Sequence, residues 1–406
     1  MNQLANTLAA RFIRLADETG SFSMVKASQA CICEAENIFM ETEERTFFNG
    51  LKVVEFASVL AGPAAGMFFA ELGATVIKIE NSSTGGDVTR SWKNPLEDPQ
   101  APVSAYWSSI NWGKQHVFLD LNNESDRLSA RMFVSDADVV ISNIKPSSAR
   151  RMGIDADTLC TENPRLIFAQ LNSYADPEDE SPAFDAVLQA EAGFMYMNGE
   201  PERAPVKMPV ALIDILAAHQ LKEGVLVALL KREKTGMGSV VTVSLMESAV
   251  ASLANQASNY LMTGYIPRRM GTRHPNIAPY GDVYTTADGK SVLVAAGSER
   301  QFRNLCTCLN LYELQEHELY ATNSVRVKNR ESLNEYIQKA AGAYPLDELM
   351  LLFRKNGVPA ARIRDMKQVF ELPGAEKLIL EETTAEGVPT KRVKTAVFTI
   401  KSSQNC

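Results

Sequence analysis

The sequence lacks the signatures of several common enzyme classes. It contains no G-x-x-x-x-G-K-[ST], G-x-S-x-G or G-x-G-x-x-G segment, which argues against a P-loop NTPase, an α/β-hydrolase and a nicotinamide-binding enzyme. No apolar run approaches the roughly 20 residues that a membrane span needs. The formal net charge of −8 leaves no basic excess for a nucleic-acid backbone. We therefore expect neither a membrane nor nucleic acid as the main partner.

Histidine and cysteine are also scarce, with four and six residues respectively. The two C-x-C pairs, Cys31/Cys33 and Cys306/Cys308, are too tight for the usual zinc spacings. We expect free thiols in a reducing compartment, hence a cytoplasmic protein without a bound metal. The N-terminal segment carries Arg11 and Arg14 beside an apolar helical face, which resembles a weak mitochondrial transit peptide. An ordinary surface helix or docking arm explains it better, because the acids from Asp17 onward and the lack of serines do not fit a transit peptide.

The composition, 45% hydrophobic and 22% charged over 406 residues, is that of a globular protein with room for more than one domain. The local patterns divide the chain into four parts. We predict an N-terminal appendage at 1–47, a large α/β domain at 48–265, a smaller α+β domain at 266–365, and a segment at 366–406 that returns to the large domain.

Strand and helix patterns alternate through the large domain, which predicts a parallel sheet. The first unit pairs a strand at Leu51–Ala57 with a helix at Ala64–Leu72 that begins near Pro63. Three other segments carry predictions that a structure can test directly. They are a short β-like run at Pro209–Ile213, one long helix at Leu245–Met262 and a strand at Val393–Ile400.

Asp214 stands between that β-like run and an amphipathic helical pattern. One interpretation is a helix N-cap, whose side chain accepts a backbone N–H of the first turn. The other is a catalytic acid at the mouth of a strand. No His or Cys has the spacing of a catalytic pair with a nucleophile, so we expect any nucleophile or general base to be a carboxylate. The residues alone leave both interpretations of Asp214 open.

Nine sequence blocks along residues 50–280 carry a further signal. They are FASVLAGP (Phe56–Pro63), ELGATVIKIE (Glu71–Glu80), GGDVTR (Gly85–Arg90), NWGKQHVFLDL (Asn111–Leu121), RRMGID (Arg150–Asp155), PAFDAVLQAEAGFM (Pro182–Met195), PVKMPVALIDILAA (Pro205–Ala218), KTGMGSVVTVSLMESA (Lys234–Ala249) and RHPNIAPYG (Arg273–Gly281). A weaker block, GVPAARI, follows at Gly357–Ile363. In this order, the blocks together resemble the family III coenzyme A transferases, also called the CaiB/BaiF family.

This resemblance implies a Rossmann-like large domain, a small domain and a homodimer of two interlocked chains. It implies transfer of coenzyme A from an acyl-CoA, such as succinyl-CoA, to a free carboxylic acid. Coenzyme A is then a substrate, and no permanent cofactor is expected. The family nucleophile falls on Asp214, which would carry coenzyme A as an aspartyl thioester. An N-cap position and this role are compatible.

Two alternative functions remain. The related 2-methylacyl-CoA racemases use a His before the Asp that matches Asp185, but this chain has Phe184 there, which favours a transferase. Asp185 itself matches a position that assists the site in transferases, and a plain acid at a helix start is the alternative interpretation. The other alternative is an acyl-CoA-binding protein without catalysis.

The resemblance also indicates ligand contacts. Coenzyme A would meet Leu60, Ala61, Leu119, Asn122, Asn143, Lys145 and Arg151. Of these, Arg151 suits the nucleotide phosphates best, because a guanidinium binds phosphate through paired donors. Asn81 replaces a basic residue common in the family. Arg273 or His274 could meet the distal carboxylate of a dicarboxylic acid, and a solvated basic loop is the alternative.

Overall fold

The structure is a computed structural model that describes residues 47–176 and 178–400. The amphipathic N-terminal segment and nearly all of the predicted appendage, residues 1–46, lie outside the described residues. Among the described residues, no helix is both long and apolar enough to cross a membrane.

A parallel sheet of six strands forms the centre of the larger part of the chain, with the order β3-β2-β1-β4-β5-β6. The strands are β1 (Lys52–Glu55), β2 (Thr75–Asn81), β3 (Gln115–Leu119), β4 (Val139–Ser142), β5 (Ile167–Asn172) and β6 (Ser239–Ser244). The chain first adds strands outward on one side of β1 and then continues from β4 on the other side. A ligand crevice commonly forms at such a reversal, where two adjacent loops diverge.

Ten α-helices accompany this sheet among the described residues. They are α1 (Ala61–Glu71), α2 (Ala105–Ser108), α3 (Glu124–Ser135), α4 (Pro146–Met152), α5 (Ala156–Glu162), α6 (Asp185–Glu191), α7 (Phe194–Met197), α8 (Leu212–Thr235), α9 (Leu245–Ala251) and α10 (Ala254–Thr263). Alternation along each strand divides the apolar side chains between the two faces of the sheet. Val53 packs in one cluster with α1 and α8, and Val54 packs in the other with α3 and α5.

A separate hydrophobic cluster runs from Tyr284 to Val358. It joins an antiparallel sheet of order β7-β8-β9 to three helices. The strands are β7 (Tyr280–Thr285), β8 (Ser291–Ala295) and β9 (Ala360–Arg362). The three helices are α11 (Glu299–Cys308), α13 (Arg330–Ala341) and α14 (Leu346–Lys355), and the short helix α12 (Asn323–Lys328) precedes α13 without contributing to the cluster.

The C-terminal segment contains α15 (Met366–Phe370) and an antiparallel hairpin, β10 (Ile379–Thr383) with β11 (Pro389–Val393). The predicted strand at Val393–Ile400 is wrong. Instead of pairing with a strand, the amides of Thr395 and Ala396 donate to the Glu71 carboxylate on α1. Arg392 forms a buried ion pair with the same carboxylate, so this segment docks against the large sheet's helical layer.

Two predicted elements of the large sheet region also differ. The long helix at Leu245–Met262 is interrupted between α9 and α10, where Ala254 adopts φ +47°. The hydroxyls of Ser248 and Ser252 bond to carbonyls four residues earlier, at 2.7 Å each, which weakens helical continuity. The helix predicted from Ala64 begins three residues earlier, at Ala61, because Pro63 needs no N–H acceptor in a first turn.

Candidate active site

Asp214 lies in the first turn of α8, with its side chain 8% exposed toward a cavity. The prediction of a strand at Pro209–Ile213 is wrong, because no strand in the described part of the chain pairs with this segment and α8 already begins at Leu212. The N-cap interpretation is also wrong. The N-cap residue is Ala211, which makes no side-chain hydrogen bond to the helix. Asp214 is therefore free to face a ligand instead of its own backbone.

The electrostatic environment of Asp214 disfavours its ionised form. Burial, followed by the negative charge of Asp185, raises the pKa of Asp214 to about 7. A helix N-terminus favours an anion, but here desolvation outweighs that effect. A carboxylate with this pKa is more basic and less stabilised by hydrogen bonds than an ordinary aspartate, which suits a nucleophile that is used near neutral pH.

Asp185 begins α6 and is buried beside the start of α8. Its Oδ1 accepts the amide of Ile213 at 2.7 Å, and its Oδ2 accepts the side-chain amide of Gln189 at 2.5 Å. Gln189 Oε1 in turn accepts the amide of Met208 at 2.7 Å. Asp185 is thus more than a helix-start acid, because it anchors the backbone residue that precedes Asp214.

The cavity at Asp214 has a volume of about 440 Å³. Four residues that the sequence assigns to coenzyme A line it: Leu60, Ala61, Asn143 and Lys145. Leu171 and Leu245 add apolar walls near the carboxylate. An apolar wall limits the access of water to a reactive acyl intermediate.

A second cavity of about 530 Å³ adjoins the first, and Ser58, Val88, Asn143, Ile144 and Lys145 line both. The second cavity brings in two more of the expected residues, Asn122 and Arg151. Leu119 lines neither cavity and instead packs among the side chains under the sheet. Because the two cavities share these lining residues, they form one crevice past the ends of β1 and β4, with Asp214 lining the first cavity and Arg151 lining the second.

The turn between β1 and α1 forms part of this crevice wall, and two polar side chains hold it. Asn143 accepts the amide of Ser58 at 3.1 Å and donates to the Ser58 carbonyl at 2.9 Å. Asp87 accepts the next amide, that of Val59, at 3.3 Å. Val59 has φ +73°, which is strained for a β-branched residue and costs about 1–3 kcal/mol. Strain of this kind commonly accompanies functional sites.

Tyr106 on α2 is a residue near the site that sequence reasoning missed. Burial, with the negative charges of Asp214, Asp185 and Asp87, raises the pKa of its phenol to about 12. Its hydroxyl therefore stays protonated near neutral pH and remains a hydrogen-bond donor. Tyr106 stands in the run SAYW, and its aromatic side chain was the only sign in the sequence. Because α2 is so short, periodicity could not predict that Tyr106 lies near Asp214.

Arg273 and His274 lie outside both cavities. Arg273 pairs with Glu331 and lies 3.5 Å from the Asp282 carboxylate. His274 contacts the ring of Tyr280 at 5.3 Å between centroids.

Within the described residues, no group of three or more His, Cys, Asp or Glu side chains could hold a metal ion. The cysteines described, Cys160, Cys306 and Cys308, are free thiols.

Comparison with known proteins identifies the class of enzyme. The family model described as "CoA-transferase family III" matches residues 48–405. The chain therefore belongs to the family III coenzyme A transferases, as its sequence blocks indicate, and is an enzyme of the CoA-transferase type.

Named relatives span most of the chain. A succinate–glutarate CoA-transferase of Agrobacterium fabrum is 35% identical over 86% of this chain and 88% of the relative. The human succinyl-CoA:glutarate CoA-transferase is 31% identical over 80% of this chain and 73% of the relative. A CAIB/BAIF family protein from Brucella suis has a crystal structure that is 36% identical, covers 88% of this chain and 92% of that one, and superposes with a TM-score of 0.74.

Proposed function

We propose that this enzyme moves coenzyme A from an acyl-CoA to a dicarboxylic acid through an aspartyl thioester on Asp214. The observation that carries the proposal is the buried Asp214 carboxylate, which faces the crevice with its pKa raised to about 7. Arg151 lines the adjoining second cavity, where it can meet the phosphates of a coenzyme A molecule whose thioester lies at Asp214.

The reaction consists of two transfers of coenzyme A, first from the donor acyl group to Asp214 and then from Asp214 to the acceptor acid. An Asp214 oxygen attacks the thioester carbon, the C–S bond breaks, and the coenzyme A thiolate departs. The donor acyl group is then joined to Asp214 as a mixed anhydride. The thiolate attacks the Asp214 carbonyl carbon and releases the donor acid, giving the aspartyl thioester. The acceptor carboxylate then attacks this thioester and releases the thiolate, which attacks the acceptor acyl carbon. Asp214 is restored and a new acyl-CoA leaves, so no outside proton donor, oxidant or metal is needed.

Three groups support these steps chemically. The backbone N–H groups at the start of α1 have no acceptors within the helix and suit a developing oxyanion near Leu60 and Ala61. The protonated Tyr106 hydroxyl is a further donor near the negative charges. Asp185 keeps the start of α8 in place through Ile213.

Relatives suggest the substrates. Their names include succinate–glutarate, succinyl-CoA:glutarate and succinyl-CoA:mesaconate CoA-transferases. On this basis we propose succinyl-CoA as the donor and a short dicarboxylic acid as the acceptor. Arg273 or His274 remains our candidate for the distal carboxylate, although Arg273 would have to exchange its contact with Glu331 for the substrate.

We also propose the Rossmann-like, interlocked homodimer that the family implies. The strand order β3-β2-β1-β4-β5-β6 supports the Rossmann-like part. Exposed apolar side chains on and after α10, including Leu261 at 78% and Met262 at 83% exposure, support a partner surface. Light scattering coupled to gel filtration tests this: twice the 44.6 kDa chain mass is expected, and a monomer at micromolar concentration contradicts it.

Trapping the covalent intermediate tests the mechanism. The protein is incubated with succinyl-CoA, treated with hydroxylamine and digested for mass spectrometry. We expect a hydroxamate on Asp214 in the wild type and none in Asp214→Asn, with transfer to glutarate lost in the variant. Absence of label at Asp214 despite measured succinyl-CoA binding contradicts the mechanism. Incorporation of deuterium at the α-carbon of 2-methylacyl-CoA without an acceptor acid would instead indicate a racemase.

A further inference from the structure

A buried ionic network forms part of the crevice wall, where Lys78 and Asp87 line the second cavity. Lys78 Nζ lies 2.8 Å from a Glu55 oxygen and 3.1 Å from an Asp87 oxygen, and the side chains of Lys78, Glu55 and Asp87 are at most 1% exposed. Lys114 Nζ lies 2.8 Å from the other Glu55 oxygen. Charges so deeply buried are costly unless they are paired and well placed. None of these residues reacts in the steps described above.

Asp87 connects this network to the crevice wall. Its carboxylate accepts the Val59 amide at 3.3 Å, the Thr89 amide at 3.0 Å and the Thr89 hydroxyl at 2.8 Å. Its own amide donates to Glu80 at 2.7 Å. Asp87 is thus fixed through both backbone and side chain, and it presents one carboxylate edge to the strained turn.

Gly86 allows this close approach. It has φ +100°, and a Cβ at this position would lie 2.4 Å from the Glu80 carboxylate. Only glycine adopts this conformation readily at such a crowded position. The backbone at Gly86 therefore lies close to the Glu80 carboxylate, and this places Asp87 beside Val59.

The branched Cβ of Val59 disfavours positive φ, so this conformation needs support from neighbouring groups. Both oxygens of the Asp87 carboxylate accept the Val59 amide, at 3.4 and 3.3 Å, which fixes the peptide group that leads into Val59. The residues that follow, Leu60 and Ala61, line the cavity that contains Asp214. The direction of their N–H groups depends on how the chain turns at Val59.

We propose that Asp87 is a positioning residue for coenzyme A transfer: by holding Val59 in its left-handed turn, it aims the Leu60 and Ala61 amides at the substrate's thioester carbonyl. This inference rests on the proposed function. Asp87 thereby affects catalysis through the backbone conformation of one residue, Val59. A purely structural residue would affect only the stability of the fold.

A double-mutant cycle between Asp87 and Val59 tests the proposal kinetically. In the full-length protein, Asp87→Ala should lower kcat for succinyl-CoA:glutarate transfer about 10- to 100-fold, the usual effect of a small misplacement, with KM for succinyl-CoA changed less than about threefold. Glycine adopts positive φ without strain. In the Val59→Gly background, the same Asp87→Ala change should therefore cost at least about threefold less.

The matched control is Asp155→Ala. Asp155 accepts the amide and hydroxyl of Thr158, as Asp87 does with Thr89, but it lines neither cavity. We expect kcat for Asp155→Ala within about twofold of wild type. If Asp87→Ala does not fold, Asp87→Asn replaces it in the cycle. Equal losses from the Asp87 change in both Val59 backgrounds, or a loss confined to KM, would overturn the proposal.

Amide hydrogen exchange gives a readout that does not depend on activity. The peptide covering residues 58–61 should exchange at least about tenfold faster in the Asp87 variant than in wild type or Asp155→Ala, because the Val59 amide loses its acceptor. An unchanged amide exchange rate in this peptide would show that Asp87 does not hold Val59. Absence of any transfer by the wild type, with faster exchange in the Asp87 variant, refutes the proposed function and leaves the holding of Val59 supported.

Discussion

The Asp185 carboxylate accepts the backbone amide of Ile213 at 2.7 Å, and Ile213 directly precedes Asp214. One acid thus anchors the chain beside another acid and also raises its pKa. The two effects can be separated, because an amide side chain retains a hydrogen-bond acceptor but loses the charge.

Asp185→Asn should lower the pH at which the enzyme becomes active. Asp214 must be ionised to attack, so kcat/KM for succinyl-CoA should rise with pH with a midpoint near the Asp214 pKa of about 7. Removing the Asp185 charge favours ionisation of Asp214, and the midpoint should move down by up to about one unit. The matched control is Glu191→Gln on the same helix, which should leave the midpoint in place. A midpoint that stays or rises in Asp185→Asn contradicts this relationship.

Asp214→Asn should make the protein more stable at alkaline pH while it abolishes transfer. The folded-state pKa of Asp214 is raised to about 7, above its unfolded value of about 3.9. Its contribution to stability is therefore present at low pH and lost as pH rises from about 4 to 7. The variant lacks this loss, so its free energy of unfolding should exceed that of wild type by about 2–4 kcal/mol at pH 8. Urea unfolding at pH 4 and pH 8 measures the difference in free energy of unfolding between the variant and wild type. A difference that becomes smaller as pH rises contradicts the raised pKa.

Arg151→Ala should weaken binding of coenzyme A thioesters without changing the chemical step. Arg151 lines the second cavity, and a lost charge-assisted bond to phosphate corresponds to about a 10- to 100-fold rise in KM. Succinyl-pantetheine, which lacks the nucleotide phosphates, should show no difference between the variant and wild type. Arg300→Ala, an exposed residue outside both cavities, serves as the control. An equal rise in KM for succinyl-CoA and succinyl-pantetheine would place Arg151 away from the phosphates.

Glu71→Ala should strongly destabilise the protein. It removes the partner of Arg392, whose side chain is 1% exposed, and the acceptor of two backbone amides. An unpaired buried charge costs about 3–5 kcal/mol. Adding Arg392→Met should restore at least about 1 kcal/mol in urea unfolding, because it removes the buried charge. Glu162→Ala, which breaks the exposed pair with Arg131, should change stability by less than about 1 kcal/mol. Similar losses in Glu71→Ala and Glu162→Ala would contradict the role of burial.

The parallel sheet was predictable because each strand carries its own signal. The strand predicted at Leu51–Ala57 contains the observed β1 at Lys52–Glu55, and the predicted parallel sheet is present. Local patterns failed where contacts distant in sequence decide the conformation. The segment at Pro209–Ile213 looks like a strand, but the amide of Ile213 donates to Asp185 and the amide of Met208, just before the segment, donates to Gln189. No strand among the described residues pairs with it.

The sequence by itself determined the family and a carboxylate at position 214, because residue types and block order are local properties of the chain. Only the tertiary structure decided the state of that carboxylate. Its raised pKa requires burial and Asp185 beside it, and Asp185 reaches Ile213 across 28 residues of sequence. The support of Val59 by Asp87 likewise spans 28 residues. Desolvation and charge proximity depend on distances in space, which residue order alone does not specify.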